Sequence, residues 1–219
     1  MRFKRNQVEE AVAATLQRKE DLVSPDLRIR IKRLLDTDRT LGRDSGSDDP
    51  ERASFAFYSH EPPGSGVEVW FSSYEAFALL MALRLLSHGW PQRTVVRIMR
   101  RVRPELEREH DRILSQDPRQ LFDADEVRRR AYEGAMAVDN IDPVFLAIPT
   151  PEQPHRPGAN EPDPTIAFAV RRGQAELMKF ILQDLPVGTA TTIFELVNAT
   201  HRLEQCLAQT QPSKRGRGG

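Results

Sequence analysis

The stretch that decides the fold is residues 72–102, SSYEAFALLMALRLLSHGWPQRTVVRIMRRV. Ser72 and Ser73 offer side-chain oxygens to the free amides of a helix start. Behind them Phe77, Leu79, Leu80, Met81, Leu83, Leu85 and Leu86 cover nearly the whole circumference of the helix. Such a helix belongs in a protein core. His88-Gly89 ends it, because glycine adopts the left-handed conformation of a helix C-terminus without strain. Trp90-Pro91 then opens a second helix, with proline tolerated in a first turn. Val95, Ile98, Met99 and Val102 form its buried seam, and Arg93, Arg97, Arg100 and Arg101 occupy the other faces. Pro104 either kinks this helix or begins another, which continues through Leu106, His110 and Ile113 to about Ser115.

Upstream, an amphipathic helix is predicted over 6–16. After Ser24-Pro25-Asp26, Leu27, Ile29 and Ile31 alternate as in a strand, but the cap and the continuing Leu34-Leu35 pair favour a helix with Leu27, Ile31, Leu34 and Leu35 on one face. Residues 54–71, SFAFYSHEPPGSGVEVWF, read as a β-hairpin, with Phe55, Phe57 and Tyr58 on one arm and Val67, Val69 and Trp70 on the other. Downstream, Asp123 caps a short helix through Tyr132. PVFLAI (143–148) and TIAFAV (165–170) read as buried strands, while 174–185 and 189–209 read as amphipathic helices. Six prolines between 149 and 164 mark a linker or long loop, and the tail PSKRGRGG is expected to be disordered.

The run 66–102 resembles the MerR-like winged helix-turn-helix regulators. A wing closes on Val69-Trp70-Phe71, a serine-capped helix follows, and Gly89-Trp90 stands where that family has a Gly-Phe turn. The resemblance implies an α+β, mostly helical chain, with a winged helix-turn-helix domain over 1–115. A small α/β region would follow over 116–210, serving dimerisation or regulation, with the Pro-rich loop at 149–164 and a basic tail at 211–219. It implies a homodimer on double-stranded DNA and names no small-molecule effector. Two recognition helices stay open. One is 25–36, with Arg28, Arg30, Lys32 and Arg33. The other is a bare helix-turn-helix over 81–100, with Arg93, Arg97, Arg100 and Arg101. The wing tip HEPPGSG carries no Arg or Lys, which fits the alternative of a protein-interaction factor that keeps the fold without binding DNA.

Charge distribution bears on that choice. The 219 residues hold 32 basic and 32 acidic side chains, a balance that by itself argues against a polyanion partner. The charge is segregated, however. Residues 1–43 carry 11 basic and 7 acidic groups and residues 79–104 carry 6 basic and none acidic, whereas 105–126 carry 3 basic and 8 acidic. Clustered positive charge is what phosphate binding needs.

Other classes have less support. The longest apolar run, Ala76–Leu83, is far short of a membrane span. No secretory signal is visible and Cys206 stands alone, so a cytoplasmic protein is expected. Histidines 60, 88, 110, 155 and 201 show no metal-ligand spacing, and no cofactor motif or catalytic constellation emerges, so the chain is read as a non-enzyme without a cofactor.

Overall fold

The computed structural model describes residues 1–16, 23–62, 67–130, 139–150 and 167–211. The architecture is α+β and mostly helical, with two small sheets. In chain order the elements are β1 (Phe3–Lys4), α1 (Arg5–Leu16), α2 (Pro25–Leu41), α3 (Pro50–Ala53), β2 (Trp70–Phe71), α4 (Ser73–Ser87) and α5 (Gln92–Ser115). There follow α6 (Pro118–Leu121), α7 (Ala124–Arg130), β3 (Val144–Thr150), β4 (Ala169–Arg172), α8 (Gln174–Lys179), a π-helical turn (Phe180–Asp184), β5 (Ala190–Glu195) and α9 (Val197–Gln209). They fall into two compact units, Met1–Asp111 with the residues from Thr200 onward, and Arg112–Ala199.

The first unit is built around α4. Ser72 and Glu75 form a reciprocal capping box at its start, and Gly89 takes φ +86° just beyond its end, as the sequence predicts. From Tyr74 to Leu83 every residue is buried, and α1 and α2 pack on it. The Ser24 hydroxyl accepts from the Leu27 amide, and Leu27, Ile31, Leu34 and Leu35 form the inner face of α2. α5 runs unbroken through Pro104, which is exposed.

The hairpin expected over 54–71 does not form. Among the described residues Trp70–Phe71 pairs antiparallel with Phe3–Lys4 at the amino end, and 54–60 contains no strand; the expected turn at 63–66 lies outside the described residues. The reason is that backbone groups a hairpin would use are taken by buried charge. The amides of Ala56 and Phe57 donate to Asp38, at 3.1 and 3.0 Å, and the carbonyls of Phe55 and Tyr58 accept from Arg103, at 2.6 and 2.7 Å. Phe55, Phe57 and Tyr58 are buried as expected, but in a strap of irregular backbone.

Asp38 is held in turn by Arg100. The Arg100 Nε donates to the Asp38 carboxylate at 2.7 Å and Nη2 to its carbonyl, and Nη1 reaches the Gly42 carbonyl at 2.6 Å. Burial holds the Asp38 carboxyl above its ordinary range, with Arg100 and the two strap amides opposing part of the rise.

His110 is the other buried polar group of note. Its ring lies against Tyr74 and Phe77, its Nε2 is 3.4 Å from the Ser73 hydroxyl, and Ser73 donates to Glu204 of α9. Burial lowers the imidazole from 6.5 to about 4, with neighbouring His201 adding to the fall and Asp111 opposing it. His110 is therefore a core packing residue, as its place on the α5 stripe suggests.

In the second unit β3 is the central strand between β4 and β5, antiparallel to both. Phe145, Ala147 and Ala169 form a core with Leu177 of α8 and Phe180 of the π-helical turn. The segment 189–209, expected as one helix, is instead β5 followed by α9. Thr191, Thr192 and Ile193 are β-branched and prefer the extended chain, and Glu195 accepts from the amides of Val197 and Asn198 to start the helix afresh. β3 and β4 overlap the predicted strands. Residues 151–166, most of the Pro-rich loop, and 212–219 of the tail lie outside the described residues, as does Tyr132.

Two stability measurements follow. Removing either member of the buried pair, by Asp38→Ala or Arg100→Ala, should cost about 3–5 kcal/mol in urea unfolding, because the other charge is left buried and unpaired. Arg101→Ala, whose side chain is 22% exposed and has carboxylates no closer than 4.0 Å, should cost less than about 1 kcal/mol. For His110 the folded state binds its proton only near pH 4, whereas the unfolded state binds it near 6.5. The unfolded chain thus holds the extra proton between those values. Stability is fully present above pH 6.5 and falls as pH drops through the window, by about 3 kcal/mol. The difference between wild type and His110→Gln across a pH series should show that slope; parallel profiles would refute it.

Candidate nucleic-acid interface

α2 divides its residues sharply. The apolar stripe faces α1 and α4, which leaves Arg28, Ile29, Arg30, Lys32 and Arg33 exposed on the far side. Arg30 pairs with Asp26 one turn earlier at 2.8 Å, and Arg28 approaches Glu9 at 3.6 Å. These are surface contacts in which both arginines stay substantially accessible, and such pairs are weak. Lys32 and Arg33 have no ion-pair partner among the described residues.

The start of α5 meets this helix. Gln92 donates through Nε2 to the Thr37 hydroxyl at 2.5 Å and to the Arg33 carbonyl at 3.3 Å. Arg93 beside it is exposed and likewise has no ion-pair partner among the described residues. A hollow of about 360 Å³ opens at this junction, flanked by Arg33 and Arg93 with Thr37, Thr40 and Leu41 between them; Asp36 is its one acidic group. The first turn of α5 contains no acidic residue of its own to offset the positive helix end.

The remaining predicted contacts stand elsewhere. Arg97 pairs with Glu51 at 2.5 Å, Arg101 lies 4.0 Å from Asp49 and Glu51, and Arg100 is 3% exposed on Asp38. Asp49 and Glu51 of the acidic stretch 44–53 thus lie along the basic face of α5. Asp49 also caps α3, its side chain accepting from the Glu51 amide. Of the eight predicted residues, Arg28, Arg30, Lys32, Arg33 and Arg93 stay accessible, Arg97 and Arg101 are partly covered, and Arg100 is a core residue.

The Asp38–Arg100 pair escaped sequence reading, although a signal for it exists. Asp38 extends the stripe Leu27, Ile31, Leu34, and Arg100 and Arg103 fall on the α5 seam beside Met99 and Val102. A charge of each sign on two apolar stripes is the trace of a buried pair.

No helix among the described residues is long and apolar enough to cross a membrane, and no group of three or more metal-ligating side chains is present among them. Comparison with protein-family models, curated proteins and solved structures finds no match.

Because the accessible cations are not structural partners, Ala at Lys32, Arg33 or Arg93 should change unfolding free energy by no more than about 0.5 kcal/mol. A thermal or urea titration checks this.

Proposed function

We propose that the chain is a DNA-binding regulator whose contact surface is the exposed face of α2, with Arg28, Arg30, Lys32 and Arg33, extended by Arg93 at the start of α5. The observation that carries the reading is the shared hollow. Arg33 and Arg93 come from basic blocks sixty residues apart, yet they flank one concavity and neither is neutralised by an acidic side chain within ion-pairing distance among the described residues. Guanidinium groups in that position suit phosphate oxygens, and Thr37, Thr40 and Gln92 supply neutral polar groups beside them. In a symmetric homodimer, two such surfaces address successive turns of one duplex. Arg100, buried on Asp38, stands outside the contact set.

Ile29, 48% exposed in the middle of the basic face, favours a second reading in which the same surface receives a protein. Fluorescence anisotropy of a labelled duplex over a salt series separates the two. Binding should weaken linearly in log salt, and Lys32→Ala, Arg33→Ala and Arg93→Ala should each lower the slope by about one. Absence of binding even at about 50 mM salt, where phosphate contacts are strongest, overturns the DNA reading and leaves the protein-interaction one.

A further inference from the structure

The hollow at the α2–α5 junction is sorted by hydrogen-bonding role as well as by charge. Its α2 wall is Arg33, Asp36, Thr37, Thr40 and Leu41. Residues four apart on a helix stand above one another, so these five form two neighbouring rows. Arg33, Thr37 and Leu41 make one row, and Asp36 and Thr40 make the other. Gln92 holds the opposite wall in place, donating to the Arg33 carbonyl and to the Thr37 hydroxyl, and Arg93 follows it.

The first row donates. Arg33 has no ion-pair partner among the described residues, and Arg93 adds a second unpaired guanidinium from α5. The Thr37 oxygen accepts from Gln92, which leaves its own proton without an acceptor among the described residues. The second row accepts. Thr40 gives its proton to the Asp36 carbonyl at 2.8 Å and so presents lone pairs to the hollow. The exposed Asp36 carboxylate has neither an ion-pair nor a hydrogen-bond partner among the described residues. Arg33 stands one turn away, near enough to neutralise it, yet the two form no pair and both border the same space.

A ligand that satisfies both rows carries an anion and hydroxyl groups together. Two guanidinium groups balance the nearly double charge of a phosphomonoester and match its oxygens in forked geometry. A DNA backbone offers Asp36 only phosphate and ether oxygens, which a carboxylate repels, whereas a sugar hydroxyl donates to it. Leu41 ends the donor row with an apolar surface for a carbon skeleton. The volume of about 360 Å³ falls in the range of small-molecule sites.

We infer that this hollow is a binding site for a small sugar phosphate, with Arg33, Arg93 and Thr37 on the phosphate and Asp36 accepting from the sugar hydroxyls. The inference goes beyond the proposed function, sharing two of its arginines without needing DNA. A chain that binds duplex but no sugar phosphate overturns this inference alone, and one that takes the sugar phosphate but no duplex overturns the DNA reading alone.

The test is an NMR titration of the full chain in phosphate-free buffer, with ribose 5-phosphate and inorganic phosphate as probes up to about 20 mM. Ribose 5-phosphate should bind with a Kd of about 1 mM or tighter, and at least about fivefold tighter than inorganic phosphate. Arg33→Ala and Arg93→Ala should each weaken both probes about tenfold. Arg30→Ala, which removes a cation of α2 that does not border the hollow, should leave both within about twofold. Asp36→Ala should tighten inorganic phosphate by removing a like charge, and should bring the two probes to within about twofold of each other. A gain for one probe with loss of selectivity for the other is an outcome that general destabilisation does not produce. Ribose 5-phosphate that fails to bind, binds no tighter than inorganic phosphate, is unaffected by Arg33→Ala and Arg93→Ala, or keeps its advantage in Asp36→Ala overturns the inference.

Discussion

The Asp38–Arg100 pair is the contact on which the first unit depends. Two charges taken from water repay their desolvation only when the remaining lone pairs and protons are also satisfied. Here Asp38 accepts from two backbone amides and from Arg100, and Arg100 also reaches the carbonyls of Asp38 and Gly42. The pair therefore does more than join α2 to α5. It shapes the chain between them, because the groups that complete its coordination come from the strap at 42–57. Arg103 extends the arrangement to Tyr58, so two arginines of one helix hold an irregular segment whose phenylalanines enter the core.

That constraint explains what could be read from the sequence. The helices were legible because each is specified locally: Ser24 and Ser72 as caps, Gly89 as a terminator, and apolar stripes of helical period. The buried strands around 144 and 169 were visible as short apolar runs, each preceded by a proline. The strap was not, since its alternating aromatics match a hairpin and its conformation is dictated by a carboxylate and two guanidinium groups distant in sequence. The β5–α9 junction was missed for a related reason. Its apolar spacing suits a helix throughout, and only the β-branched run before Glu195 distinguishes the extended part. At the candidate interface, the basic composition of both blocks was plain, but which arginines remain available depends on where 44–53 folds.

The formal neutrality of the chain acquires a different meaning from this. It is not a uniform balance of surface charges. Part of the positive charge of α5 is matched by the acidic stretch lying along it, whereas Lys32, Arg33 and Arg93 have no ion-pair partner among the described residues. A protein can be neutral as a whole and still present a cationic surface, provided the neutralisation is local elsewhere. Segregation by burial, not net charge, sets what a polyanion meets.

The part of α9 from Thr200 onward belongs to the first unit: Leu203 and Leu207 are buried, Glu204 takes the Ser73 proton donor, and Gln7 of α1 donates to the Thr210 carbonyl at 3.3 Å. During synthesis those residues leave the ribosome only after all of Arg112–Ala199. The amino-terminal helices consequently wait, with part of their apolar surface uncovered, while the second unit is made and is free to fold first. Closure of the first unit thus depends on contacts between the two ends of the described chain, and pairings of such high sequence separation are the kind that form slowly.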